Sequence, residues 1–512
     1  MSFYEFFYSA IFYILIAIIA IVAIHYVYFL SNRNYWKNRG IFSPDSSLIF
    51  GDLPGQVKGN RNIMYDFDDL YKKYKKSHAA IGIFNFRSPR LLVFNTDVIR
   101  DIMVKNFKNF PATEFYGKID GESDPLFGNH MFNQIGEGWK TSRQELSPAF
   151  TNTRIKAAHP IMENVVNKMK IYIKNEIAKK DFDGLDAKDL SARYTISVVS
   201  NSIYNIDPKT FEGGESELLK VAQKFLAPSK KFMFIFMLNS LYPFLLKHYK
   251  FSFSQPGSQK FFFDLMDNSI KHREASGVKC MDYLDHLLTL KQKREISDQA
   301  LASHGASFLV DGYDTSSTTI AGSLLEIARY KNVQDKLREE INEKMPNDED
   351  FNYDNVQELE YLDQILYESL RMHNPALYLA RMCTEDIELE LPKDKKVKMV
   401  KGDLAYIPVQ SIFMDSDYFE NPTQFNPDRF SAENGGVKAY MDRGVFFPFG
   451  AGPRMCPGNR FAFAQAKYAV ASLVKDFELS LNPRSNPNFE VHPNAFILHI
   501  QDCYINFKEI KN

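Results

Sequence analysis

Cys456 lies in the run Phe447-Pro448-Phe449-Gly450-Ala451-Gly452-Pro453-Arg454-Met455-Cys456-Pro457-Gly458. It follows a Gly/Pro-rich loop and directly precedes an apolar periodic stretch, Phe461 to Val474, that reads as a helix. Pro457 suits the first position of that helix, where a missing N–H costs nothing. The cysteine then sits where free N–H groups and the positive end of the helix dipole converge, which favours a thiolate. A free thiol titrates near ~8.5, and such surroundings lower that value. Gly450, Gly452 and Gly458 permit turns that side chains would block and let the backbone approach something large and flat. A lone cysteine without this context would read as buried and inert.

Three further groups place polar chemistry in suggestive spacing. Asp311-Gly312-Tyr313-Asp314-Thr315-Ser316-Ser317 is a polar knot in an otherwise apolar stretch, costly in a core unless its groups are bonded. Thr315 can bond back to the carbonyl of residue 311, bending a helix and opening a groove for a small ligand or a water chain. Asp311, four before Thr315, shares its face. It is expected to pair with a cationic substrate group or extend a proton relay, or else to bond water or backbone. Trp139 and Arg143 are four apart on one helical face, and Glu368 and Arg371 are three apart on another.

The elements that must position these residues follow from the pattern around them. Ser297 or Asp298 can cap a helix continuing to about Tyr330, roughly 50 Å long at 1.5 Å per residue. That length crosses an entire domain. Residues 80–94 alternate enough for two strands around Ser88-Pro89. Between Phe225 and Phe263 the chain is rich in phenylalanine, with Lys230, Lys231, Lys247 and Lys250 flanking apolar runs. That pattern suits ordinary core or a segment dipping into a membrane surface.

The N-terminus supplies the clearest large-scale signal. Ser9 to Leu30 carries no formal charge and is long enough for a bilayer core of ~30 Å. Arg33, Lys37 and Arg39 follow it and only Glu5 precedes it, so the bulk of the chain is expected in the cytosol. The run is long and lacks a basic leader and a small-residue cleavage pattern, which favours an anchor over a cleaved signal. Three parts are expected: an anchor at 1–30, a linker at 31–60 stiffened by Pro44 and Pro54, and a catalytic domain at 61–512. The 512 residues are 45% hydrophobic with net charge −1 and pI ≈ 6.8. No basic field exists to hold nucleic acid. Cys280, Cys383, Cys456 and Cys503 are far apart, without disulfide-framework or zinc spacing.

The cysteine loop matches Phe-x-x-Gly-x-Arg-x-Cys-x-Gly, and in this the chain resembles the cytochrome P-450 family, haem-thiolate monooxygenases. The resemblance runs in order along the chain. It takes in the anchor, Trp139-x-x-x-Arg143 with Ser147-Pro148-Ala149-Phe150, Gly312-x-Asp314-Thr315, Glu368-x-x-Arg371, Pro427-x-Arg429-Phe430 and the cysteine loop. It implies a mainly α fold with a smaller β-rich part. Cys456 would be the thiolate ligand of the iron of haem b, with Phe449 beside the sulfur. Arg454, Trp139, Arg143 and Arg381 would serve the propionates. Gly312, Asp314 and Thr315 would lie over the distal face, the last two holding dioxygen and relaying protons. Asp311 departs from the family's usual small residue. Glu368, Arg371 and Arg429 would form a buried structural network. Pro375-Ala376-Leu377-Tyr378 and Asn494-Ala495-Phe496-Ile497 would border substrate, and the Phe-rich segment would be a lid admitting lipophilic molecules from the bilayer.

The chain looks most like the insect microsomal branch that handles foreign compounds. The resemblance implies an endoplasmic-reticulum location, an NADPH-dependent flavoprotein reductase as electron donor, and cytochrome b5 as a second candidate donor. No GxGxxG loop for a nucleotide of its own occurs in the sequence. Docking is expected on the cysteine side through Lys140, Arg443, Arg460 and Lys467. A thiolate-haem isomerase or dehydratase and a non-catalytic haem sensor or carrier are the alternatives. Neither needs the Asp314-Thr315 pair.

Overall fold

The computed structural model describes residues 3–510 apart from 48–49, 215, 227–229, 243, 245–247, 279–281, 295, 394, 487–490, 494, 496 and 500–501. Lys247, Cys280, Asn494 and Phe496, and the side chain of Lys230, lie outside the described residues. The chain is mainly helical with a smaller β-rich part. Six helices matter for the site: α1 (Phe3–Leu30), α2 (Gly136–Leu146), α3 (Ala187–Tyr204), α4 (Asp298–Arg329), α5 (Glu360–Met372) and α6 (Asn459–Asp476). The strands are β1 (Ala80–Asn85), β2 (Ser88–Val93), β3 (Leu185–Asp186), β4 (Leu379–Met382), β5 (Ile387–Leu391), β6 (Lys395–Met399), β7 (Leu404–Ile407), β8 (Phe477–Leu481) and β9 (Tyr504–Glu509).

One sheet runs β1-β2-β7-β4, with β2 and β7 parallel and the other neighbours antiparallel. The β1–β2 turn falls at Phe86-Arg87 rather than at Ser88-Pro89, because Pro89 is already in register opposite Phe84. A second sheet runs β3-β9-β8, and β5 pairs with β6. Helix α4 begins where expected: the Ser297 side chain accepts the Ala300 N–H at 3.2 Å and caps it. It is buried along most of its length against α3. The two are tied by Thr195 Oγ1, which donates to the Tyr313 carbonyl at 2.8 Å.

Two apolar clusters form the core. One gathers α3, α4 and α6, and the other packs β1, β2 and β7 against Leu370, Phe413, Phe446 and Phe447. Phe447 belongs to the second cluster and Phe461 to the first. The loop carrying Cys456 therefore spans the seam between them and is fixed at both ends. Burial of each such ring stabilises by about 1.5–3 kcal/mol.

Residues 31–60, expected as a linker, are partly core. Trp36, Ile41 and Leu53 are buried, and Trp36 Nε1 donates to the Ile83 carbonyl at 3.3 Å. Gly82 makes room for that ring: a Cβ there would lie 2.0 Å from Trp36. Among the described residues helix α1 contains, at Phe12–Leu30, one span long and apolar enough to cross a membrane, exposed over most of its length. Its end is nonetheless docked. Arg87 Nε donates to the Tyr28 carbonyl at 2.9 Å, and Tyr28 OH donates to the Leu241 carbonyl at 2.9 Å.

Candidate active site

Cys456 lies in the loop ahead of α6, its N–H donating to the Phe449 carbonyl at 2.9 Å. Gly450 and Gly452 take positive φ, 75° and 69°, and a Cβ on Gly452 would stand 2.2 Å from the Met103 carbonyl oxygen. Glycine is required at that position for both reasons. Gly458 differs from expectation: its φ is −89° and it is the N-cap of α6, so Pro457 lies before the helix rather than at its first position. In the metal-free chain the lowering expected from the helix terminus is outweighed. Burial pushes the Cys456 thiol up to about 11, against the Gly458 N–H bonded to the sulfur and the Arg143 charge, while Asp311 adds to the rise. Desolvation outweighs the helix terminus here. Ionisation at neutral pH thus calls for a metal ion, which deprotonates a coordinating thiol outright.

Around this sulfur stand three guanidiniums with no carboxylate partner among the described residues. Arg143 Nη1 donates to the Met455 carbonyl at 2.8 Å, and Arg381 Nη1 donates to the Ala380 carbonyl at 2.9 Å. Arg454 donates to the carbonyls of Met131 and Gln134. Arg454 is pushed down to about 9 by burial and by the charges of Arg381 and Arg143, and burial alone pushes Arg381 down to about 10. Two buried N–H groups, Trp139 Nε1 and Arg454 Nε, find no acceptor, and the Arg454 guanidinium lies 5.1 Å from the Trp139 ring. Crowded cations and orphaned donors beside a buried sulfur are what a flat dianion would satisfy. The two propionates and the iron of haem fit this set.

Helix α4 presents Asp311 and Thr315 on one face, and Thr315 Oγ1 donates back to the Asp311 carbonyl, as the sequence predicts. Asp314 turns the other way. Lys188 Nζ donates to its Oδ1 at 2.7 Å, to its carbonyl at 3.0 Å and to Ser317 Oγ. Gly312 faces α3, where a Cβ would meet Val199 at 3.4 Å, and its carbonyl accepts from Gln465 Nε2 at 3.4 Å. The polar knot thus splits between faces, with Asp311 and Thr315 on one and Asp314 and Ser317 on that of Lys188.

The cytochrome P450 family model matches residues 43–507. The chain belongs to the cytochrome P450 family. It is 34% identical over 485 residues to a probable cytochrome P450 28d1 of Drosophila melanogaster, covering 94% of this chain and 96% of that one. It is also 32% identical to a probable cytochrome P450 28a5 of the same fly, covering 93% and 95%. Cytochrome P450 6a8, also from Drosophila melanogaster, is 28% identical, covering 94% and 96%. As a P450 it is a monooxygenase that binds haem through a cysteine thiolate and draws on a redox partner and O2. The isomerase and carrier alternatives give way to this family.

Beneath the P450 loop lies a buried ion network. Arg371 Nε and Nη2 each donate to Glu368 at 2.8 Å, Arg429 Nε lies 3.4 Å from Glu368 Oε2, and Asn426 N–H donates to Oε1 at 3.0 Å. Asn374, two residues past α5, donates to the Pro448 carbonyl at 3.2 Å and ties this network to the loop. The Phe449 ring packs on Phe463 at 5.7 Å. On the outer side of the same loop a concave cavity of about 1230 Å³ is lined by Arg100, Lys156, Phe449, Met455 and Arg460 among others. Lys140, Arg443 and Arg460 are exposed, but Lys467 is not. It is buried, with Nζ 2.9 Å from Asp363 and bonded to the Gln357 carbonyl at 2.6 Å, so it is removed from the docking set.

Three residues in this arrangement carry no signal in the sequence. His130, whose Nε2 meets Asp311 Oδ2 at 2.9 Å, sits in an irregular loop, and Lys188 opens a helix of ordinary composition. Gln134, which receives Arg454 and the Ser142 hydroxyl, is likewise unmarked.

Proposed function

We propose that this P450 is anchored in the endoplasmic reticulum, with its catalytic domain in the cytosol. It oxidises lipophilic small molecules with electrons from an NADPH-dependent flavoprotein reductase, and cytochrome b5 is a second candidate donor. The cluster of Arg143, Arg381 and Arg454 with Trp139 around Cys456 carries the reading. Cys456 would ligate the iron, and the three guanidiniums and the indole N–H would hold the propionates. When bound, the haem supplies oxygen activation: one atom of O2 enters the substrate and the other leaves as water.

The chain's own part is orientation and proton supply. Thr315 holds its hydroxyl on the cavity face. Asp314, held by Lys188, would feed protons along the helix. The end of α1 supports entry of substrate from the bilayer. Tyr28 stacks on Tyr242 at 5.7 Å, and Phe234 and Phe244 nearby in the Phe-rich segment are exposed. An exposed aromatic surface beside an anchor suits a lipid interface. This arrangement and the insect relatives favour foreign compounds or lipophilic hormones as substrates.

Reduction would occur at the concave face over the cysteine loop. Stopped-flow reduction by the reductase tests it with Lys140→Glu, Arg443→Glu and Arg460→Glu. Each is expected to slow reduction steeply at low salt and less at high salt. Rates equal to the parent chain at low salt would refute docking there.

A further inference from the structure

Helix α4 is buried on both sides of Asp311: Leu309, Val310 and Tyr313 have almost no exposure, while the Asp311 side chain is 62% exposed. A carboxylate exposed midway along a helix that crosses a core looks into a cavity. It shares that face with Thr315 and acts electrostatically on Cys456. It therefore belongs to the chamber above the sulfur, where the proposed substrate would lie, and the inference rests on that reading.

His130 holds one oxygen of this carboxylate, with Nε2 2.9 Å from Oδ2. The other ring nitrogen, Nδ1, accepts the Phe132 main-chain N–H at 2.9 Å. With Nδ1 committed as an acceptor, the single ring proton lies on Nε2 and is donated to Asp311, so the imidazole brings no charge. Neither lysine nor arginine pairs with Asp311 among the described residues. A carboxylate is thus displayed on the chamber wall beside Thr315, oriented by its histidine and with Oδ1 unclaimed by any described side chain. Such a charge is costly to desolvate without a cation.

We infer that Asp311, oriented by His130, is a cation subsite that selects lipophilic substrates carrying a tertiary amine or quaternary ammonium over neutral molecules of the same shape. The ligand's nitrogen would lie against Oδ1, leaving the apolar remainder to the chamber. Water or backbone bonding would satisfy the carboxylate equally in the free protein but would give no preference between charged and neutral ligands.

The test uses the full-length haem-loaded chain and equilibrium dialysis with trimethyl(4-phenylbutyl)ammonium and its neutral tert-butyl isostere. A quaternary nitrogen has no lone pair, so iron ligation cannot mimic the effect. The parent chain is expected to bind the cation about tenfold or more tightly than the isostere. Asp311→Asn should collapse the ratio to within about twofold. Asp311→Ala, which restores a small residue, serves if the amide variant misfolds. His130→Phe, keeping the charge, should retain a preference for the cation. Equal binding by the parent chain, or a preference that survives both Asp311 variants, overturns the inference. Failure of the parent chain to take up haem would instead sink the functional reading, and the absorption spectrum tells the two apart.

Discussion

Glu368→Gln tests whether the buried network beneath the cysteine loop is held by charge. Glu368 and Arg371 are both 0% exposed, and the carboxylate takes two 2.8 Å bonds from Arg371, one from Asn426 and a 3.4 Å contact from Arg429. The amide keeps the volume but leaves two guanidiniums facing one neutral group. Breaking a buried pair while its partner stays costs about 3–5 kcal/mol. Whole-domain stability is only about 5–15 kcal/mol, so about a fifth or more would go. Urea unfolding of the full chain in detergent, followed by far-UV circular dichroism and by the two buried tryptophans, Trp36 and Trp139, would read the loss. Glu368→Leu combined with Arg371→Leu and Arg429→Leu should recover much of it, since an apolar replacement leaves no orphaned charge. A Glu368→Gln loss below about 1 kcal/mol would refute the electrostatic account.

Three further outcomes follow from the same geometry. Gly452→Ala should cost about 1–3 kcal/mol of backbone strain and impair haem uptake, whereas Gly458→Ala should leave the haem-free chain's unfolding midpoint nearly unchanged, since its nearest contact would be 3.5 Å from Phe150. Arg454→Leu should weaken haem binding in a transfer assay while leaving the haem-free chain as stable or more so, because it removes one of three crowded cations. Lys188→Met and Asp314→Leu should each destabilise, yet their combination should cost less than the sum by about 1 kcal/mol or more in a double-mutant cycle.

Contiguous signals are the legible ones. The cysteine loop, the Trp139–Arg143 pair on α2 and the Ser297-capped helix α4 each lie within one segment, so spacing alone exposes them. Contacts between segments are not legible. Asp311 meets His130 across 181 positions, and Asp314 meets Lys188 across 126. No periodicity links such partners. Two expectations fail because burial is invisible in the chain's order. A lysine such as Lys467 is ordinarily exposed, but α6 is enclosed and the side chain must carry its ammonium to Asp363. A helix terminus makes a thiol such as Cys456 more acidic, and here desolvation reverses the sign.

The last of these reversals bears on how the site is built. By itself the chain gathers three guanidiniums near a thiol that burial keeps neutral, an arrangement whose repulsion no described carboxylate offsets. Residues that stabilise one another in the free chain would carry at least one carboxylate among them, and here the described neighbours are main-chain carbonyls. The propionates and iron of haem would remove that cost together, the first satisfying the cations and the second the sulfur. Cofactor binding and local ordering of this seam would therefore be coupled, so that free haem should raise the stability of the loop by mass action. The network of Glu368, Arg371 and Arg429 lies on the opposite side of that loop and is complete without the cofactor. It can hold the loop's frame while the charges above it wait for their partner.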